Sequence, residues 1–322
     1  MADKIIPEEP LVNLDASNSI RIIEQTSDGK ENASKYSMLY MIGSGGMGEV
    51  FLAWDQSQER HVIIKTVNRS LPSPREEFYE NLETEAKLVA KLVHPNIAIV
   101  YDILIAKMPG VIDEAEPMIV TEYIKGDTLE KFINSSYKQE KHLNPNLVSK
   151  IITQVADAIE YSHSQRVYHR DPKPENIIIT DNGSRAVLID YGLAPVTKEM
   201  NSDYILGSPG YISPEVALGT GDPDNLQSVV FQLGVITFES LTGKRPFGGD
   251  NASGEKGVEL LNILSVTESM KTELLKTLPN EIRNKVEKVL TKALEKNPKN
   301  RYQTPLEFAK ALNQATLSLS AR

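Results

Sequence analysis

Two acidic residues and an amide lie in turns beside short apolar runs near the middle of this 322-residue chain. Asp171 and Asn176 precede the strand-like residues 177–179, and Asp190 follows the strand-like residues 186–189. A hairpin of these two runs would bring the three side chains to one edge. Their oxygen atoms are suited to holding a hard cation such as Mg²⁺ and to accepting a proton from a hydroxyl.

A glycine-rich stretch, residues 43–48 with the sequence GSGGMG, precedes residues 49–54, whose apolar and aromatic side chains predict a strand. In dinucleotide-binding folds such glycines open a helix, so the strand that follows here favours a hairpin. Glycine lets backbone N–H groups approach phosphate oxygens, because it has no Cβ. Two interpretations stay open at this point: a hairpin that covers phosphates, and a glycine-rich hairpin with no ligand.

Lys65 ends the apolar, strand-like run of residues 61–65. A lysine in that place is usually solvated. The alternative is a charge held against phosphates, which requires an acidic partner to position it. Residues 74–92 predict a helix, because a proline and acidic residues begin it and apolar residues recur at helical spacing. Glu83 and Glu85 are the candidate partners on that helix.

The string His-Arg-Asp-x-Lys-x-x-Asn at residues 169–176, followed by Asp-Tyr-Gly at residues 190–192, closely resembles the catalytic and metal-binding loops of protein kinases. The sequence GSGGMGEVF at residues 43–51 resembles the glycine loop of the bacterial Ser/Thr kinases of eukaryotic type. The resemblance covers about residues 37–315. It implies a two-lobed, kinase-like fold of the α+β class.

The resemblance also implies a division of the chain into four parts. Residues 1–35 are expected to form a flexible N-terminal arm, in which residues 20–23 could add an edge strand. Residues 36–122 would form a small lobe of antiparallel sheet with one helix, and residues 123–316 a mainly helical lobe. Residues 317–322 would be a short tail.

The implied catalytic residues are Asp171, which accepts the proton of the attacking hydroxyl, and Lys173, which neutralises the transferred phosphate. Asn176 and Asp190 would bind Mg²⁺, because the ion prefers carboxylate and amide oxygens. The implied cofactors are therefore ATP and Mg²⁺.

The resemblance assigns Lys65 to the ATP phosphates and Glu85 to the positioning of Lys65. It favours Glu85 over Glu83, since Glu85 lies nine residues before the sequence His-Pro-Asn-Ile at residues 94–97, which resembles the turn after that helix in kinases. The implied ATP-binding set comprises Ile42, Gly43, Ser44, Gly45, Gly46, Met47, Gly48, Val50, Lys65, Glu85, Glu122 and Ile124.

Two further residues are expected near the implied nucleotide site. Thr121 would lie at the back of the nucleotide pocket. Asp127 would contact ribose or cap the first helix of the second lobe, a role for which Thr128 is the competitor.

Residues 207–215, with the sequence GSPGYISPE, resemble the kinase segment that binds a protein substrate, and Glu215 is expected to pair with Arg301. The implied reaction is transfer of the γ-phosphoryl group of ATP to a Ser or Thr hydroxyl of a protein. Lys173 and Ser208 point to Ser/Thr rather than Tyr as the acceptor.

Arg170 suggests a regulatory hypothesis. In relatives, an arginine before the catalytic aspartate often pairs with a phosphorylated residue in the following loop. Autophosphorylation at Thr197, Ser202 or Ser208 is therefore possible.

Three residues depart from the family pattern. Pro172 follows the catalytic aspartate and removes an N–H, Tyr191 replaces a phenylalanine, and Val229 stands where an aspartate usually accepts backbone hydrogen bonds. Pro172 and Val229 keep open an alternative function, a nucleotide-binding pseudokinase that acts as a scaffold or allosteric partner. A small-molecule kinase of the same fold is the other alternative, against which residues 207–215 argue.

Composition excludes several functional classes. The net charge of −9 provides no overall attraction to nucleic acid or to an anionic membrane. The absence of cysteine excludes disulfides, thiolate catalysis and cysteine-ligated metals. The N-terminus lacks the basic and apolar regions of a signal peptide, and the longest apolar stretch, residues 229–241, is too short to span a bilayer. We therefore expect a cytoplasmic protein without nucleic-acid or membrane partners.

Overall fold

The computed structural model describes ten parts of the chain, residues 20–25, 29–45, 48–66, 84–109, 112–139, 141–180, 183–191, 208, 210–247 and 272–317. They belong to two compact units. The first unit contains the described residues up to Val93 and residues 98–125, and the second contains residues 94–97 and the described residues from Gly126 onward.

The first unit is built on a closed barrel of six strands in the order β1-β2-β3-β4-β6-β5, in which every neighbouring pair is antiparallel. The strands are β1 (Ile20–Gln25), β2 (Glu31–Gly45), β3 (Gly48–Asp55), β4 (Arg60–Thr66), β5 (Val100–Met108) and β6 (Ile112–Glu122). Residues 84–89 of the same unit are helical, and we call this segment α1.

Alternation of apolar residues along the strands builds the barrel core. On β4, Val62 and Ile64 are fully buried, whereas Lys65 points to the opposite face, since successive strand side chains alternate. Phe51 of β3 and Met118 of β6 are buried in the same apolar cluster. The barrel thus places a lysine on a strand whose other face is fixed by core packing.

Strand β1 differs from the edge strand that the sequence suggested. It pairs with β2 on one side and with β5 on the other, and so closes the barrel. The physical reason is Ile22, which is fully buried in the core cluster. The predicted limits of the arm, the two lobes and the tail otherwise stay a prediction.

The second unit is mainly helical, as predicted, and carries one three-stranded sheet in the order β7-β8-β9. Its strands are β7 (Asp127–Thr128), β8 (Ile177–Thr180) and β9 (Arg185–Leu188). Its α-helices are α2 (Leu129–Lys138), α3 (Pro145–Ser164), α4 (Pro214–Ala217), α5 (Leu226–Thr242), α6 (Asn280–Ala293) and α7 (Pro305–Thr316).

Capping residues begin the helices of this unit. Thr128 accepts a hydrogen bond from the backbone of Lys131 and caps α2, so the competition between Asp127 and Thr128 is decided for Thr128. Helix α5 is capped by Asn225 and buries 14 of its 17 residues. It packs against α2, α3, α6 and α7. None of the helices in the described part of the chain has the length and hydropathy needed to cross a membrane.

The predicted pair of Glu215 and Arg301 is confirmed. Arg301 is 1% exposed, and its Nη1 and Nη2 lie 2.6 and 2.7 Å from the two carboxylate oxygens of Glu215. Its other three N–H groups donate to backbone carbonyl oxygens, so all five donors are satisfied. Burial alone would raise the pKa of Glu215, but the hydrogen bonds and charge of Arg301 lower it. The pair joins α4 to the segment before α7.

We predict that Arg301→Met lowers the free energy of unfolding by about 3–5 kcal/mol, because it leaves Glu215 and three carbonyl groups without their partner. Urea denaturation measures this change. Lys299→Met removes an exposed cation from the same segment and is expected to change stability by no more than about 0.5 kcal/mol. Equal unfolding midpoints for the two variants would contradict the prediction.

Candidate active site

A buried turn, residues 167–176, carries the predicted catalytic residues in the second unit. His169 is 1% exposed, and its Nε2 donates to the carbonyl of Ile189 at 2.8 Å. Its Nδ1 faces the backbone N–H of Asp171 at 3.4 Å. Burial lowers the pKa of His169, so the ring is neutral, and it packs on Tyr191 with the ring centroids 4.7 Å apart. His169 therefore anchors the turn from beneath.

Asp171, Lys173 and Ser208 form a closed set of polar contacts. Asp171 is 6% exposed, its Oδ1 accepts from the backbone N–H of Ser208 at 2.8 Å, and its Oδ2 lies 2.8 Å from Lys173 Nζ. Lys173 Nζ donates its aligned hydrogen bond to Ser208 Oγ at 2.7 Å. The contact to Oδ2 is close but not aligned as a hydrogen bond, so Oδ2 keeps the capacity to accept a proton.

Ser208 is the residue that sequence reasoning did not include in the catalytic set. It lies 35 residues after Lys173 and 37 after Asp171, so no local spacing connects the three. Its position at the start of the segment with the sequence GSPGYISPE was the only available signal. Its hydroxyl is engaged by Lys173, and autophosphorylation at Ser208 stays a prediction. The other two candidates, Thr197 and Ser202, lie outside the described residues.

The hairpin of β8 and β9 places the two predicted metal ligands, as the apolar runs indicated. The register pairs Ile177 with Leu188. One residue beyond it, the backbone N–H of Ile189 donates to the carbonyl of Asn176 at 2.9 Å. Asp190 follows directly, in the left-handed region with φ of 58°. Asn176 Nδ2 donates to the carbonyl of Asp171, which leaves the amide oxygen as its remaining ligand atom.

In the first unit, the glycine-rich stretch is a hairpin between two strands, which excludes the helix-opening arrangement of dinucleotide-binding folds. The ladder pairs Gly43 with Val50, Ser44 with Glu49, and Gly45 with Gly48. Gly48 has φ of 130°, and a Cβ there would lie 2.0 Å from the Thr66 carbonyl oxygen, so only glycine fits. Ile42 is half-buried, and Gly46 and Met47 lie outside the described residues.

Lys65 and Glu85 both belong to the first unit. Lys65 pairs in register with Val50 on one side and Ile119 on the other, and its side chain is half-buried. Glu85 is half-buried in α1. Its competitor Glu83 lies outside the described residues. The predicted pairing of Lys65 with Glu85 stays a prediction.

The end of β6 carries the residues expected to meet an adenine edge. The N–H of Glu122 already donates to the carbonyl of Ile99, and the Glu122 carboxylate accepts from the N–H of Ile99. The backbone of Ile124 has no hydrogen bond to any other described residue. Ile124 is therefore better placed than Glu122 to donate to a ligand. Thr121 is half-buried on β6. Asp127 is exposed on β7, and its contact with ribose stays a prediction.

The three departures from the family pattern take defined places in the second unit. Pro172 is buried in the catalytic turn. Tyr191 keeps its ring against His169. Val229 is 4% exposed on α5, where its aliphatic side chain offers no acceptor. Their effect on activity stays a prediction.

Tyr211 and Glu239 form a polar pair beneath residues 210–213. The Tyr211 hydroxyl donates to Glu239 at 2.7 Å, and the guanidinium of Arg245 lies 5.9 Å from the centre of the tyrosine ring. Burial raises the pKa of Glu239 to about 7, with Glu175 and Glu130 adding to the rise and Tyr211 and Arg245 opposing it. The carboxyl group therefore titrates near neutral pH.

The raised pKa of Glu239 has a consequence for stability. The stability that comes from the protonated Glu239 carboxyl is fully present below its unfolded pKa of 4.5. It is lost as the pH rises through the folded pKa of about 7. We predict that Glu239→Gln matches the wild type at about pH 4, below the unfolded pKa, and is the more stable protein at pH 8, by up to about 3 kcal/mol. Denaturation midpoints across this range measure the difference. A difference that does not change with pH would contradict the assignment.

Comparison with known proteins identifies the relatives of this chain. Residues 36–315 match the family described as protein kinase domain. The chain is 34% identical over 279 residues to the serine/threonine-protein kinase PrkC of Bacillus subtilis, an alignment covering 86% of this chain and 40% of PrkC. It is 32% identical over 286 residues to the serine/threonine-protein kinase PknB of Mycobacterium tuberculosis, covering 86% and 42% respectively. The chain thus spans about two fifths of the length of these curated relatives.

Solved structures show the same fold. The kinase domain of Mycobacterium tuberculosis PknI is similar with a TM-score of 0.64 at 23% sequence identity, over 88% of this chain and 96% of that domain. A second structure of that domain, in which two residues are substituted, gives the same TM-score. The predicted kinase fold of the α+β class is confirmed.

Proposed function

This chain belongs to the protein kinase family, and we propose that it transfers the γ-phosphoryl group of ATP to Ser or Thr hydroxyls of a protein substrate. The family membership expected from residues 169–176 and 190–192 is confirmed, and the named relatives are bacterial Ser/Thr kinases. The observation that carries the proposal is the set of contacts that joins Asp171 and Lys173, on the buried turn, to Ser208.

Asp171 is the proposed proton acceptor. Its Oδ1 is fixed by the N–H of Ser208, and its Oδ2 retains a lone pair for a hydroxyl proton. The acceptor must be held in place before the reaction, because phosphoryl transfer depends on positioning and charge neutralisation more than on covalent chemistry. Burial of the turn supplies that positioning.

Lys173 is the proposed partner of the transferred phosphate. Its extended backbone, with φ of −153° and ψ of 163°, is the conformation favoured before a proline, here Pro174. Its ammonium group lies between Asp171 and Ser208 and can neutralise negative charge beside the acceptor.

Asn176 and Asp190 have the donor set that a Mg²⁺ ion requires. One amide oxygen and one carboxylate suit an ion that takes its remaining ligands from phosphate and water. When bound, Mg²⁺ neutralises the phosphate charge and orients the phosphate oxygens.

The first unit supplies the proposed nucleotide contacts. The hairpin from Gly43 to Gly48 offers backbone N–H groups to phosphate, and Lys65 adds a positive charge that Glu85 would orient. Ile124 would donate to the adenine edge. ATP and Mg²⁺ are thus the proposed cofactors.

Residues 210–215 belong to the segment that resembles the kinase segment for a protein substrate, and they support a protein as the substrate. Contacts of Tyr211 with Glu239 and of Glu215 with Arg301 hold this segment on the second unit. The engagement of Ser208 by Lys173 supports Ser or Thr as the acceptor. Autophosphorylation, a cytoplasmic location and the lack of nucleic-acid or membrane partners stay predictions.

Transfer of label from γ-labelled ATP in the presence of Mg²⁺, to the protein itself and to a basic protein substrate, tests the proposal. We expect transfer by the wild type and a loss of about 10²-fold or more in Asp171→Asn, because the proton acceptor is removed. Lys65→Met is expected to lose transfer as well.

Two exposed residues of α3 provide the controls. Asp157→Asn removes an exposed carboxylate, and Lys150→Met removes an exposed lysine; both variants should retain wild-type transfer. If the wild type transfers no label while nucleotide still raises its melting temperature, the protein is a nucleotide-binding scaffold and the proposal is wrong.

Ser208 provides a second prediction. Ser208→Ala removes the hydroxyl that receives the Lys173 hydrogen bond, so we expect kcat to fall about tenfold with little change in the KM for ATP. Ser208→Thr keeps the hydroxyl and should stay within about threefold of the wild type. Steady-state kinetics measure both. Equal activity of the alanine and threonine variants would show that the hydroxyl has no role.

A further inference from the structure

An ion pair outside the described catalytic set joins the catalytic turn to the start of α5. Arg170 Nε donates to Asp224 Oδ1 at 3.0 Å, and its Nη2 donates to Asp224 Oδ2 at 3.2 Å. The two side chains are 15% and 22% exposed, so the pair is shielded from most of the solvent. This two-point contact fixes the direction of the guanidinium as well as its distance.

The pair acts on a strained residue. Arg170 has φ of 64°, a left-handed conformation that is strained for a residue other than glycine. It directly precedes Asp171, so its backbone sets the direction in which the proposed proton acceptor points. Contacts of the Arg170 side chain are therefore able to hold Asp171 in place.

Asp224 is itself held firmly. Its backbone N–H donates to the Asp222 carboxylate at 2.9 Å, and the N–H of Asn225 donates to the Asp222 carbonyl at 3.1 Å. Asn225 then caps α5 by accepting from Gln227. Asp224 thus lies in a hydrogen-bonded turn directly before the N-cap of the buried helix α5.

Asp224 is the carboxylate to which the Nε and Nη2 groups of Arg170 donate. Val229, on the same helix, has no side-chain acceptor. The guanidinium carbon of Arg170 lies over the ring of Tyr168, 5.8 Å from the ring centre. The Tyr168 ring packs edge-on against His163. Asp222, Glu160 and Asp224 all face His163, whose pKa is lowered by its burial despite these carboxylates.

We propose that Asp224 is a positioning residue for phosphoryl transfer: through Arg170 it holds the left-handed turn that orients Asp171. The proposal rests on the proposed kinase function for its kinetic part. Its structural part, the ordering of residues 167–176 by Asp224, does not depend on activity.

The test compares Asp224→Asn, Asp224→Glu and the control Asp157→Asn in the full chain. Asp157 is exposed and accepts a hydrogen bond from His94 Nε2 at 3.2 Å, so the control also removes one hydrogen-bonded carboxylate of the second unit. We expect Asp224→Asn to lower kcat at least about tenfold with the KM for ATP within about twofold, since a small misplacement of a catalytic group has effects of this size or more. Asp224→Glu keeps the charge and should recover most of the lost activity.

Hydrogen exchange followed by mass spectrometry supplies a readout that needs no turnover. The peptide containing residues 167–176 should exchange faster in Asp224→Asn than in the wild type and the control. Melting temperatures identify conditions in which all variants are folded.

The proposal is overturned if Asp224→Asn matches the control in exchange or in kcat. It is also overturned if Asp224→Glu is as impaired as Asp224→Asn. If the wild type has no transfer activity, the proposed function fails, and the exchange comparison alone decides whether Asp224 orders the turn.

Discussion

The fixed position of the Asp171 carboxylate is the constraint on which the rest of the site depends. A buried carboxylate is costly unless it is paired and hydrogen-bonded. Here the Ser208 N–H and the Lys173 ammonium provide that compensation. The same contacts keep the side chain in one orientation, so the groups that stabilise the buried charge also hold it in place for its proposed role as proton acceptor. Asn176, which donates to the Asp171 carbonyl, links this turn to the neighbouring hairpin.

Helix α5 is the common support of these contacts. The Glu215–Arg301 pair reaches it through the carbonyl of Gln227 and the hydroxyl of Ser228. Through Asp224, Arg170 is tied to the turn directly before this helix. Because the helix is almost entirely buried, it offers little freedom to the segments tied to it. The segments proposed to bind substrate and to carry catalysis, which are distant in sequence, are thereby fixed to one buried helix.

Local patterns in the sequence were sufficient for the strand after the glycine-rich stretch and for the β8–β9 hairpin, because each depends on near neighbours. The Glu215–Arg301 pair, 86 residues apart, was predicted only through the family resemblance. The contacts of Ser208 and Asp224 at the site were not predicted, since their partners lie 35–54 residues away in the sequence. The only signal for Ser208 was its place in the segment GSPGYISPE, and Asp224 had no comparable signal. The closure of the barrel by β1 was missed for the same reason, because strand propensity does not specify a second partner such as β5.

The division of labour in the turn, with Asp171 as proton acceptor and Asn176 and Asp190 as metal ligands, is the central claim. A crystal structure with Mg²⁺ and a slowly hydrolysed ATP analogue tests it most directly. The account predicts Mg²⁺ bound to side-chain oxygens of Asn176 and Asp190, with Asp171 free of metal and still bonded to the Ser208 N–H. Mg²⁺ bound to Asp171, or nucleotide bound with no metal at Asn176 and Asp190, would contradict it.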